Sequence, residues 1–90
     1  MSPNGEAPVF SIEFAELAAS KFRKLPPTVK NRIAGKLREV ARDPRRHLRR
    51  LSGVDAFRVR VGDYRVILDV DWDSRTLHVL TLGHRSNVYR

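Results

Sequence analysis

Residues 57–68 read Phe-Arg-Val-Arg-Val-Gly-Asp-Tyr-Arg-Val-Ile-Leu, FRVRVGDYRVIL. Two runs of period-two alternation flank Gly62-Asp63, a two-residue connection with glycine at its first central position, which is the pattern of a type II′ β-hairpin. With that loop, Val61 pairs with Tyr64, Arg60 lies across from Arg65, and Val59 faces Val66. Side chains alternate along a strand, so Val59, Val61, Tyr64 and Val66 share one face while Arg58, Arg60 and Arg65 share the other. Like charges placed directly opposite one another destabilise a sheet by up to about 1 kcal/mol, so structure alone does not ask for this arrangement. A bound phosphate would reverse the sign through charge-assisted hydrogen bonds to the guanidinium groups. The competing reading is that Asp69, Asp71 or another acid compensates the arginines.

Outward from the hairpin, Phe10, Ile12 and Phe14 alternate with Ser11 and Glu13, predicting a strand over about 8–14. Ala18, Phe22 and Leu25 recur at helical spacing, predicting a helix over 16–24 that Pro26-Pro27 ends. Pro27 opens a second helix whose apolar stripe is Val29, Ile33, Leu37, Val40 and Ala41, closed by Asp43-Pro44. Its outer face carries Lys30, Arg32, Lys36, Arg38 and Arg42, either a solvated face or a binding face. Residues 44–53, PRRHLRRLSG, read as a basic connection, and three strands follow over 56–61, 64–71 and 76–84, the last two joined through Asp73-Ser74, with Arg75. The order β-α-α-β-β-β predicts an α+β fold: a helix hairpin packed on one face of a mainly antiparallel four-stranded sheet, the other face open.

The chain has 90 residues, suited to one domain at 9–90 preceded by a frayed tail, MSPNGEAP, at 1–8. It contains no cysteine, which excludes disulfides and thiolate metal sites. The first residues lack the cationic and apolar regions of a signal peptide, and no apolar run is long enough to span a bilayer, so the expectation is a soluble, cytoplasmic protein. Lysine and arginine outnumber aspartate and glutamate 18 to 10, a formal net charge of +8 that favours a polyanionic partner such as nucleic acid. Fourteen of the 18 cations are arginine, a preference that phosphate recognition or a biased genome composition would each produce. The acids and histidines show no convincing ligand spacing, so neither a metal nor a cofactor is expected.

The chain ends GHRSNVYR, residues 83–90. Arg85 is in step with Thr81 and Gly83 and so can join the arginine face, with Gly83 leaving room for a close approach. His84 alternates to the opposite side. Tyr89 either closes the edge of the core or belongs to a site.

From Val9 to Tyr89 the sequence resembles the RelE branch of the RelE/ParE toxin superfamily. The resemblance rests on Lys24-Leu25-Pro26, Asp43-Pro44, Leu51-Ser52-Gly53, the Phe57–Arg65 hairpin, and Gly83-His84-Arg85 through Val88-Tyr89. It implies the toxin of a type II toxin–antitoxin pair, a ribosome-dependent endoribonuclease that cleaves messenger RNA and is silenced by a cognate antitoxin. It also implies a catalytic set at Arg58, Arg60, Arg65, Arg85 and Tyr89. Well-studied members can carry lysine at the first two positions; arginine stays protonated, so its role there is electrostatic or positional.

Cleavage needs the RNA 2′-OH deprotonated, the pentacoordinate phosphate stabilised and the leaving 5′-oxygen protonated, and requires no metal in principle. On this reading Arg58, Arg60 and Arg65 hold the phosphate, Tyr89 orients or deprotonates the 2′-OH, and Arg85 serves the leaving oxygen. His84 is the alternative acid or base, since histidine as a residue type titrates near neutrality. Arg45, Arg46, Arg49 and Arg50 form either a salt-dependent grip on ribosomal RNA or a solvated loop. Two other functions stay open: a ParE-like inhibitor of DNA gyrase, and a noncatalytic RNA-binding module, which the lack of aromatics beside the arginines disfavours.

Overall fold

The computed structural model describes residues 9–51, 53 and 56–84. Strand β1 (Ser11–Phe14) leads into helices α1 (Glu16–Arg23) and α2 (Pro27–Arg42), then a single turn α3 (Pro44–His47) and a short strand β2 (Arg49–Arg50). Strands β3 (Phe57–Val61), β4 (Tyr64–Asp71) and β5 (Thr76–His84) complete the described chain. The sheet order is β1-β5-β4-β3-β2. Strand β1 runs parallel to β5, and every other pairing is antiparallel.

The helix hairpin covers one face, as the apolar periodicities require. Ile33, Leu37, Val40 and Ala41 of α2, with Ala18 of α1, bury against Val59, Val66, Leu68, Val70, Leu77, Val79 and Leu82 of the sheet. Pro27 stands at the first position of α2, where its missing N–H has no intrahelical partner to lose. No described helix is long and apolar enough to cross a membrane.

Two expectations need correction. The sheet has five strands rather than four, because Arg49 and Arg50 of the basic connection pair with Arg58 and Phe57. Two residues are too few to display a periodicity. The second face is also not wholly open: Ile67 lies across from Arg58, on the arginine side, yet is only 8% exposed and packs with Ala56 and Leu51. The Leu51 N–H donates to the Ala56 carbonyl at 2.9 Å and holds these two members of the cluster together. The tail expected at 1–8 lies outside the described residues.

Both hairpin turns show how local chemistry sets the sheet. Gly62 takes φ 59°, whereas Asp63 keeps a negative φ, which matches the type II′ connection. In the β4–β5 turn, Asp71 Oδ1 accepts the N–H groups of Asp73 and Ser74, each at 3.1 Å. Arg75 occupies the left-handed region at φ 56°, a conformation that costs a residue with a Cβ about 1–2 kcal/mol. The Arg75 carbonyl accepts the Ser11 N–H at 2.8 Å and so ties the turn to β1. The Asp71 carboxyl is held below its usual range chiefly by the backbone hydrogen bond from Ser74, then by the Ser74 side chain.

Gly62→Ala adds a Cβ at positive φ and should lower unfolding stability by about 1–2 kcal/mol in denaturant titration. For Asp71 the folded pKa lies below the ordinary 3.8, so its stabilising share is complete above that pH and is lost as pH falls through the folded value. Thermal unfolding followed from about pH 5 to pH 2 should show a shallower acid loss in Asp71→Asn than in the parent chain.

Candidate nucleic-acid interface

The register of β3 against β4 places Arg60 directly across from Arg65, Val59 across from Val66 and Val61 across from Tyr64, as the hairpin pattern predicts. On the other side of β3, Arg58 faces Arg49 of β2. Opposed residues share a face, and Cβ atoms of such pairs stand about 4.5–5.5 Å apart, so Arg49, Arg58, Arg60 and Arg65 form one block of guanidinium groups. Arg49 and Arg60 are exposed, while Arg58 and Arg65 are half-buried, Arg65 with its Nε enclosed by protein. Gly83 lies across from Arg65 on β5 and sets no side chain beside it.

The acids proposed to compensate this block are engaged elsewhere. Asp71 serves the β4–β5 turn, and Asp69 Oδ1 accepts the N–H of Val70 at 2.8 Å. Asp69 lies across from His78, whose Nδ1 approaches Glu13 Oε1 at 3.6 Å. Asp69, Asp71 and Glu13 thus lie toward the end opposite the Gly62 hairpin, while Asp63 stands in the hairpin turn beside the arginines.

Beyond Arg58 the outer edge of β3 has no strand partner among the described residues, and a cleft of about 280 Å³ opens there, lined by Lys36, His47, Arg49, Arg58, Val59 and Arg60. The sequence reading did not single out His47 and left Lys36 among the outer cations of α2. Their signal was weak: Lys36 is one turn from Arg32, whose Nη1 stands 3.7 Å from the position a Cβ on Gly62 would take. That spacing puts both on the side of α2 turned toward the hairpin. Among the described residues no three of His, Asp or Glu are placed to hold a metal ion.

The basic segment does not act as one patch. Arg49 joins the arginine block, but Arg45 stacks its guanidinium 4.4 Å from the centre of the Trp72 ring and Arg50 lies 4.9 Å from that of Phe57. Arg46 is exposed on α3. The expectation that the arginines lack neighbouring aromatics is thus overturned at Trp72, which is 38% exposed. His84 stacks edge-on against Tyr64, with ring centres 5.7 Å apart, on the helix-covered side of the sheet and away from the arginine block. Arg85 and Tyr89 lie outside the described residues.

Removing the charge repulsion should stabilise the empty protein. Arg60→Gln should raise unfolding stability by up to about 1 kcal/mol at low ionic strength, and the gain should shrink in concentrated salt as the repulsion is screened.

Comparison with known proteins bears on the same elements. The family described as the ParE toxin of the type II toxin–antitoxin system, parDE, matches residues 12–89. The mRNA interferase toxin RelE of Escherichia coli (strain K12) is 31% identical over 85 residues, covering 89% of this chain and 90% of that protein. Among solved structures, the toxin–antitoxin complex RelBE2 from Mycobacterium tuberculosis aligns with a TM-score of 0.75 at 24% identity, over 88% of this chain and 94% of its counterpart. The intact E. coli RelBE complex aligns with a TM-score of 0.73 at 26% identity, over 83% and 95%. The family match runs from β1 to beyond β5 and so takes in the whole arginine-bearing sheet; with the identity to RelE, it establishes that the chain belongs to the RelE/ParE toxin superfamily as a RelE-type toxin.

Proposed function

We propose that this chain is the toxin of a type II toxin–antitoxin pair, a metal-independent endoribonuclease that cleaves messenger RNA on the ribosome. The observation that carries this reading is the direct opposition of Arg60 and Arg65, with Arg58 and Arg49 on the same face. Guanidinium groups set opposite one another repel, and a phosphodiester bound between them would turn that repulsion into attraction. The nearest chemistry agrees: E. coli RelE is named an mRNA interferase, and the solved RelBE structures are complexes with an antitoxin.

In the proposed reaction the 2′-oxygen attacks the adjacent phosphorus, the P–O5′ bond breaks, and a 2′,3′-cyclic phosphate remains on the upstream fragment. The nucleophile belongs to the RNA, so the protein has to hold the phosphate, stabilise its added charge and move two protons. Arg58, Arg60 and Arg65 supply the first two requirements with fixed, always-charged donors and cannot serve as bases. Tyr89, acting as its phenolate, takes the 2′-OH proton, and Arg85 stabilises the departing 5′-oxygen, which takes its proton from water; both assignments come from the resemblance of residues 83–90 to the family pattern. The cleft carrying His47 and Lys36 continues the cationic surface along the β3 edge, where the RNA backbone would run. A cognate antitoxin, acidic enough to complement a chain of net charge +8, would silence the toxin by covering this surface.

Primer extension on messenger RNA from a translation reaction, with protein-free RNA as control, tests the assignment. The parent chain should produce cuts within codons only when ribosomes are present. Arg65→Ala and Arg85→Ala should each reduce cleavage by roughly 100- to 1,000-fold with little change in melting temperature. Intact messenger RNA together with inhibited DNA gyrase supercoiling would replace this reading with that of a gyrase inhibitor.

A further inference from the structure

At the far end of the sheet from the Gly62 hairpin, the β4–β5 turn presents Trp72, the single tryptophan of the chain. Its ring meets Phe10 edge-on, with centres 5.8 Å apart at 83°, which fixes the indole plane. Two shallow depressions of about 310 Å³ each share Trp72 and Arg45. One extends to Arg50 and Phe57, the other to Arg42, Asp43 and Arg75. Four guanidinium groups thus surround one indole, with Asp43 the acid among the lining residues.

We propose that Trp72, with Arg45, Arg50 and Arg75, forms a binding site for one unpaired nucleotide, its base stacked on the indole and its phosphate held by the arginines. The site is separate from the arginine block: Arg65 and Trp72 are seven positions apart along an extended strand, about 23 Å. Flat, polarisable nucleobases stack on tryptophan and on guanidinium planes alike, and Arg45 already demonstrates the second geometry over the Trp72 ring. An acidic peptide would satisfy the arginines but would have no use for the fixed indole plane. Backbone conformation supplies an independent argument. Arg75 sits in the left-handed region, where glycine would be strain-free, so the chain keeps a cation at the rim of this site against its backbone preference.

The proposal rests on RNA being the partner of this protein, and the test separates the two claims. Because Trp72 is the sole tryptophan, intrinsic fluorescence reads stacking directly. The full chain is titrated with a single-stranded 2′-O-methyl oligoribonucleotide, which cannot be cleaved through its 2′-oxygen, and with an abasic oligomer of equal length and charge. Quenching by the first and little by the second is expected. Arg45→Ala and Arg75→Gly should weaken that binding by about 5- to 100-fold, Arg75→Gly without loss of melting temperature, whereas Arg65→Ala should retain the quench while losing cleavage. Stronger quenching by protein-free ribosomal RNA than by messenger RNA at equal nucleotide concentration would identify ribosomal RNA as the source of the nucleotide; the reverse preference would identify the messenger. No quenching, equal quenching by the abasic oligomer, or equal quenching by an acidic peptide at the same concentration would overturn the proposal, even if messenger RNA is cleaved. Quenching without cleavage would leave this site standing and remove the nuclease reading instead.

Discussion

The arginine face depends on what lies behind it. Val59 and Val66 oppose each other under α2, and Leu68 and Leu82 extend the same buried layer. Burying each such side chain contributes about 1.5–3 kcal/mol, whereas opposed like charges cost at most about 1 kcal/mol per pair, so the apolar side dictates the register. A slip by one residue would turn every valine to solvent and every arginine into the core. The repulsion between Arg60 and Arg65 therefore has no register shift through which to relax. Cationic groups held together before a ligand arrives need little reorganisation when a phosphate reaches them, which is the condition under which fixed donors stabilise developing charge most effectively.

The rest of the face is arranged around that block. The Ile67, Ala56 and Leu51 cluster adds an apolar contact on the same face. Asp69, Asp71, Glu13 and His78 interact locally at the far end, and Asp63 is the acid of the hairpin turn. Helix α2, which serves the core with one side, brings Lys36 to the cleft beside Arg58 and Arg60 with another. The same helix thus contributes to packing and to the electrostatic surface, and that accounts for cations along a face that solvation alone would have explained.

The hairpin, both long helices and the valine–arginine division of faces were legible because each follows from a local rule: a glycine at positive φ, a proline at a helix start, a strict period of two or four. What escaped sequence reading was formed by contacts between distant segments or by segments too short for a period. Strand β2 contains only Arg49 and Arg50, and Trp72 meets Arg45 across the fold. His47 gave no signal as a cleft residue, since its neighbours there come from α2, β2 and β3. His84 shows the reverse: simple alternation was enough to put it on the side away from the arginines, stacked on Tyr64. Tyr89 entered the site by resemblance alone, as strand parity says nothing about it.

The parallel pairing of β1 with β5 has a consequence for how the protein is made. Strand β5 lies between β1 and β4, so β1 finds its neighbour only after the helices and the β3–β4 hairpin between them have been synthesised. Until β5 is available, the helix hairpin has no complete sheet to cover and β4 has one unpaired edge. Contacts between segments so far apart in sequence also pay a large loop-closure entropy, which places them late in folding. The β3–β4 hairpin with its opposed arginines can form earlier, but the layer that holds it rigid cannot close until β5 inserts. A nascent chain is thus without its finished cationic surface until β5 has been made and has inserted between β1 and β4.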